Sequence, residues 1–173
     1  APLEKDVHEV FTNFENCTKH LIGDGVPKNV HYYFEMQKAF YGGNEEEALH
    51  KPLISVGAAP TSPLELDPFQ TGCIFEGVKY NMPIMDMSMA MSGGTSPVHL
   101  AGTLVTHNAE ILSSNVLVQC LNPGNPIWYG SATTVFDLKR GTAPVGSPEM
   151  ALISACVANL AQYYELPSWV AGI

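Results

Sequence analysis

The chain has 173 residues, 46% hydrophobic and 14% charged, with a net charge of −9 from 17 acidic and 8 basic side chains. This composition excludes a disordered chain, and the missing basic cluster excludes a surface built to meet nucleic-acid phosphates. No apolar run reaches the ~18 residues of a membrane span and no basic leader precedes an apolar core, so a soluble cytoplasmic protein is expected.

The elements follow in chain order. The opening APLEKD reads as a strand end feeding a helix from about Lys5 to Ile22. GDGVPKN is a loop, VHYYFEMQKAF has helical spacing, and GGNEEEALHKP is a turn with a short acidic helix whose glutamates, Glu45 to Glu47, face solvent. Four apolar runs begin at or next to a proline: PLISVGA (52–58), MPIMDMSM (82–89), PIWYGSA (126–132) and PSWVAGI (167–173). Each reads as a buried strand entered from a turn, predicted near 53–57, 83–87, 127–130 and 168–171. Between them lie helices opened by a capping residue and a proline. These are Asp67-Pro68 to about Tyr80, Ser96-Pro97 to about Leu121, and Ser147-Pro148-Glu149 onward. Glu149 in that last first turn suits the helix dipole.

Strands alternating with helices at such intervals mean βαβ units and a parallel sheet, apolar throughout because both its faces are covered. The chain stops on an apolar strand with no covering helix and starts as abruptly, so residues 1–173 are read as part of a larger single domain. Four to five βα units then make a partial (β/α)8 TIM barrel. A doubly wound sheet is the alternative, although neither GxGxxG nor a phosphate loop is present.

In a βα barrel, ligands meet the C-terminal ends of strands and the loops that follow. That rule selects Ser62 and Glu65, then Asp86, Ser88, Ser92 and the pair Gly93-Gly94, then Tyr129, Ser131, Thr133, Thr134 and Asp137. Asp86 stands out, because an acid inside a buried apolar strand costs several kcal/mol unless paired or used. It is either functional or paired to a buried donor. Tyr129 and Trp128 offer ring faces to a cation or simply pack in the core. The alternating methionines from Met82 to Met91 are adaptable packing or the side of a flat cofactor. His107 and Glu110 share a helix face at HxxE spacing, a geometry that could bind metal. They sit well inside the helix opened by Pro97, away from the ligand end, so no metal site is expected. The four cysteines lack any CxxC spacing, and buried free thiols are expected.

SPLELDP (62–68), GGTSPVHLAGTLVTHNAEIL (93–112), NPGNPIWYGS (122–131), GTAPVGSPE (141–149) and LAQYYELPSWVAG (160–172), in this order and spacing, resemble the trimethylamine:corrinoid methyltransferase family. The likeness is strong over 62–172 and looser before. His99 stands where the family more often has Thr, and SSNVLVQCL (113–121) replaces a version richer in small residues and Leu.

The resemblance implies a (β/α)8 barrel and a cytoplasmic enzyme that moves a methyl group from trimethylamine to the cobalt of a cognate corrinoid protein. It implies a corrinoid carried by that partner rather than bound by this chain, and a homo-oligomeric full-length enzyme. Members acting on trimethylamine use a pyrrolysine whose segment would fall beyond Ile173, while members lacking it use quaternary amines such as glycine betaine. The 173 residues alone are thus not expected to complete an active site. On this reading Asp86 is the catalytic carboxylate, and Ser92, Gly93, Gly94, Thr95, Tyr129, Gly130 and Ser131 bind substrate or corrinoid at the barrel mouth. The rival readings are a barrel enzyme for phosphorylated ligands and a fragment serving only as an interaction surface.

Overall fold

A computed structural model of the chain describes residues 4–171, so the expectations for the first three and last two residues lie outside the described part. The described part is mixed α/β, and its main sheet has the strand order β1-β2-β3-β5-β7, numbered as they are introduced below. The chain divides into two compact units.

The first unit takes Ala1–Ala58, Pro68–Met85 and Val118–Pro126. It holds α1 (Lys5–Asn16), β1 (Leu21–Asp24), α2 (Val30–Phe40), α3 (Glu45–His50), β2 (Ile54–Ala58) and α4 (Pro68–Val78), and the start of β3 (Ile84–Ser88). Strands β1 and β2 pair in parallel, Leu21 opposite Ile54, and Val56 N–H donates to Pro83 O at the entry to β3. Ile54, Val56 and Ile84 are completely buried, as are Val30, Tyr33 and Ile74 of the helices. Asp6 shows how a buried polar group there is tied down, as burial requires. Asp6 accepts from Asn29 Nδ2 at 2.8 Å and from Tyr33 OH at 2.6 Å. Asn44 caps α3 by accepting from Glu47 N–H, and the three glutamates of its first turn face the N-terminal end of the dipole.

The helix expected from Lys5 to Ile22 ends earlier, at Asn16, and Leu21–Asp24 forms a strand instead. Cys17 leaves the helix in an extended conformation, and Leu21 N–H goes to Leu53 O, just ahead of the adjoining strand. A sheet partner, invisible to local periodicity, overrides the helical reading.

The second unit takes Ala59–Asp67, Asp86–Leu117 and Ile127–Ile173. It holds the end of β3, β4 (Met91–Ser92), most of α5 (Leu100–Leu121), β5 (Ile127–Ser131), β6 (Thr134–Val135), α6 (Pro148–Tyr163) and β7 (Ser168–Val170). Strands β5 and β7 pair in parallel with Tyr129 opposite Ser168, and β4 and β6 form a second, two-stranded parallel sheet. Ile111 of α5, Ile153, Val157 and Ala161 of α6, and Tyr129 of β5 make the core of this unit. The four proline-led runs are thus the strands β2, β3, β5 and β7, each within a residue of its predicted start. Ser147 caps α6 as expected, accepting from Met150 N–H with Pro148 in the first turn.

Ser96-Pro97 does not open α5, which begins at Leu100. Pro97 O accepts from the Thr103 hydroxyl at 2.8 Å, and the first helical amide bond runs from Thr103 N–H to His99 O. Residues 91–98 are instead folded back on themselves. The amides of Gly94, Thr95 and Ser96 all converge on Met91 O, and Ser92 Oγ donates to Val98 O at 2.8 Å. Buried free thiols were expected, but only Cys73 is buried; Cys17 and Cys120 are exposed and Cys156 is half-buried. No helix among the described residues is long and apolar enough to cross a membrane.

Candidate functional site

At the C-terminal ends of β3, β5 and β7, within the second unit, lies a cavity of about 310 Å³. Its apolar wall comes from Met89, Met91, Ala132, Ala143, Val145 and Met150. Three hydroxyl residues, Ser62, Thr95 and Thr134, interrupt that wall, and Ala171 closes it after β7. Met89, Ala132 and Ala171 each directly follow a strand, and Ser62 lies in the loop after β2, the positions where parallel α/β sheets bind ligands. A mostly apolar pocket with a few placed polar groups is the usual build of a small-ligand site.

The hydroxyls are not equivalent. Ser62 Oγ–H donates to Glu110 Oε2 at 2.9 Å, and Thr134 Oγ1–H donates to Pro144 O at 3.5 Å. Thr95 Oγ1 instead accepts from Met91 N–H at 2.9 Å, so its own proton stays available. Since a hydroxyl has one proton and two lone pairs, Ser62 and Thr134 offer acceptors while Thr95 offers a donor.

Behind Ser62 runs a buried polar chain. Glu110 of α5 accepts Ser88 Oγ–H at 2.6 Å and Leu64 N–H at 2.9 Å besides the Ser62 proton. All three contacts are donors, the pattern that an acceptor-only carboxylate needs when taken out of water. Ser88 Oγ lies 3.4 Å from Thr133 Oγ1, which lies 3.1 Å from His107 Nδ1. Among the described residues His107 Nε2 has no hydrogen-bond partner. Burial lowers the His107 pKa to about 4, so the imidazole is neutral at pH 7. Among the described residues no group of three or more His, Cys, Asp or Glu could hold a metal ion.

His107 and Glu110 therefore do not sit away from the strand ends. The face of α5 that carries them lies against Ser88, at the end of β3, and Thr133, just past β5. The helix spacing put both on one face; only the folded chain brings the Ser62 loop, 48 residues distant, onto that face.

The residues expected at the site divide into two groups. Thr95 lines the cavity. Ser92, Gly93 and Gly94 build the turn that presents it, Gly93 adopting φ +80°, where a side chain would be strained. Asp86 is buried and, two residues before Ser88, projects from the same face of β3, the one turned toward α5. Tyr129 is buried as well. Its hydroxyl donates to Asn108 Oδ1 at 2.7 Å, Asn108 Nδ2 donates to Tyr164 OH, and the ring meets His107 edge-on at 5.4 Å between centroids. Burial and, next, the neighbouring Tyr164 push its phenol pKa well up, so it stays a donor. Ser131 accepts from Thr133 N–H, and Gly130 packs against the Asp86 carbonyl. None of Asp86, Tyr129, Gly130 and Ser131 is in the cavity wall.

Across residues 4–173 the sequence matches the trimethylamine methyltransferase (MTTB) family. The chain belongs to this family. It is similar to trimethylamine methyltransferase MttB of Methanosarcina thermophila, with 59% identity over 97% of the chain and 35% of that protein. MttB of Desulfitobacterium hafniense (strain DSM 10664 / DCB-2) is 48% identical over 96% of the chain and 34% of its own length. A glycine betaine methyltransferase of Desulfitobacterium hafniense (strain Y51) is 31% identical over 94% and 34%. The chain thus spans about a third of the length of the curated relatives that it matches.

Proposed function

We propose that this chain is part of a (β/α)8-barrel methyltransferase that takes a methyl group from trimethylamine and delivers it to the cobalt of a cognate corrinoid protein. The observation that carries the reading is the cavity at the strand ends, with thioether and methyl walls for N-methyl groups and a few hydroxyls for orientation. Family membership supplies the reaction class, and the higher identity to trimethylamine than to glycine betaine methyltransferases favours the tertiary amine.

The corrinoid is the methyl acceptor, a substrate brought by the partner. A cavity of about 310 Å³ suits a small amine and not a corrin ring, so the acceptor meets the amine from outside, past half-exposed Met89. The chemistry asked of this chain is modest: hold the amine, exclude water and aim one methyl group outward. Loss of a methyl group from trimethylammonium leaves neutral dimethylamine, so holding the protonated amine assists the departure. Asp86, expected from the sequence as the catalytic carboxylate, is buried on β3 and is not among the residues that line this cavity.

The test uses the full-length protein, its corrinoid protein and trimethylamine, following methylation of the cobalt spectroscopically. Transfer from trimethylamine supports the reading. Transfer from glycine betaine alone replaces it with the quaternary-amine alternative, and transfer from neither refutes it.

A further inference from the structure

The cavity has one polar side chain whose hydrogen is committed to a buried carboxylate. Ser62 Oγ–H points at Glu110 Oε2, 2.9 Å away, and the same oxygen takes the Ser88 proton at 2.6 Å. Glu110 is buried and holds the Ser62 loop twice over, since its other oxygen accepts Leu64 N–H at 2.9 Å. That second bond pins Leu64 at φ 60°, a conformation an L-residue adopts only when its surroundings dictate it. The loop is further closed by reciprocal amide bonds between Thr61 and Glu65 at 3.0 Å. Ser62 is therefore fixed in place and fixed in polarity: it faces the cavity with lone pairs only.

We propose that Ser62 is the acceptor that receives the N–H of a protonated tertiary amine in this cavity, and that Glu110 is the positioning residue that holds it in that role. The assignment rests on the methylated-amine reading above and adds the feature that separates tertiary from quaternary amines. A trimethylammonium ion has an N–H to give, and a tetramethylammonium ion has none. A site built to hydrogen-bond one group disfavours an analogue lacking it. The methionine and alanine wall treats the methyl groups of both ions alike. Glu110 adds its negative charge directly behind the acceptor, which strengthens a hydrogen bond to a cation.

The experiment measures calorimetric binding of trimethylammonium and tetramethylammonium chloride to the full-length enzyme, comparing wild type, Ser62→Ala and Glu110→Gln. Wild type should prefer trimethylammonium by about tenfold, the scale of one hydrogen bond to a charged group. Ser62→Ala should erase that preference by weakening trimethylammonium alone, leaving tetramethylammonium within about twofold. Glu110→Gln should do the same to a lesser degree; if it fails to fold, Ser62→Ala, which deletes only one oxygen from a surface loop, decides. Equal weakening of both ions, or no change in either, overturns the assignment. Methyl transfer by wild type is scored separately. An enzyme that transfers from trimethylamine while Ser62→Ala keeps its preference refutes this inference alone. One that transfers from no amine while Ser62→Ala erases the preference refutes the proposed reaction and leaves the acceptor standing.

Discussion

Ser88 and Glu110, 22 residues apart in sequence, meet at 2.6 Å between Oγ and Oε2 in a buried setting. One residue ends a strand and the other lies inside the helix that follows. Their bond ties β3 to α5, and through Ser62 and Leu64 it extends to the loop after β2. A carboxylate in that position has lost its water and depends on each donor it keeps.

Ser88→Ala should therefore destabilise the full-length protein by about 1–3 kcal/mol, the penalty for leaving a buried acceptor short of a donor. Combined with Glu110→Gln, the losses should fall short of their sum by at least about 0.5 kcal/mol, since both changes break one network. Urea unfolding of the four proteins completes the cycle. Full additivity would mean that the two side chains stabilise the fold independently.

His107 makes stability depend on pH with a definite sign. Its pKa is about 4 when folded, below the ordinary 6.5 of an unfolded chain, so the unfolded state binds the proton more readily. The stability it contributes is complete above pH 6.5 and is lost as the pH falls toward 4. The loss amounts to roughly 3 kcal/mol at 1.36 kcal/mol per pH unit. In His107→Gln the unfolding free energy should fall less steeply across that window. A variant with the wild-type slope would show that another group titrates there.

The strands were legible in the sequence because a parallel strand buried on both faces is a short continuous apolar run, and here each run is led by a proline. Strand β1 was not, since LIGD is short and continues a helical pattern; its pairing with β2 decides. The site was half legible. The strand-end rule selected Ser62, Ser88, Thr133 and Thr134 without any structure, and Thr95 entered with the turn that the family resemblance places at the barrel mouth. It could not find Glu110, because a helix pattern gives the face a residue shares and not the loop that returns to it from 48 positions away. Asp86 and Tyr129 drew attention as polar groups in apolar strands, but strand parity turns both toward the helices.

Gly130 should tolerate no side chain. A Cβ there would run into the Asp86 carbonyl oxygen, which is backbone and cannot step aside. Gly130→Ala must push β5 away from β3, where Ala132 N–H donates to Ser88 O at 2.9 Å. The expected cost is about 3 kcal/mol or more, at the upper end for overpacking. Gly141→Ala is the control, with φ +64° and open space around it, and should cost only about 1 kcal/mol. Comparable losses at the two sites, measured by thermal unfolding, would show that strand contact does not dictate Gly130.

Ala132 offers the sharpest test of the cavity itself. It lines the wall between β5 and β6, and its backbone bond to Ser88 O does not depend on its side chain. Ala132→Phe keeps the sheet pairing and fills room that the amine would need. Because the side chain points into open space and not into packed core, the melting temperature of the full-length protein should stay within a few degrees of wild type. Methyl transfer from trimethylamine should fall about a hundredfold or more, as expected when the reacting group is displaced by an ångström or more. Ala132→Ser changes polarity with little added volume and should retain most of the activity. If Ala132→Phe instead transfers methyl groups at the wild-type rate while remaining folded, the amine binds elsewhere and the methionine-lined cavity is not the substrate site.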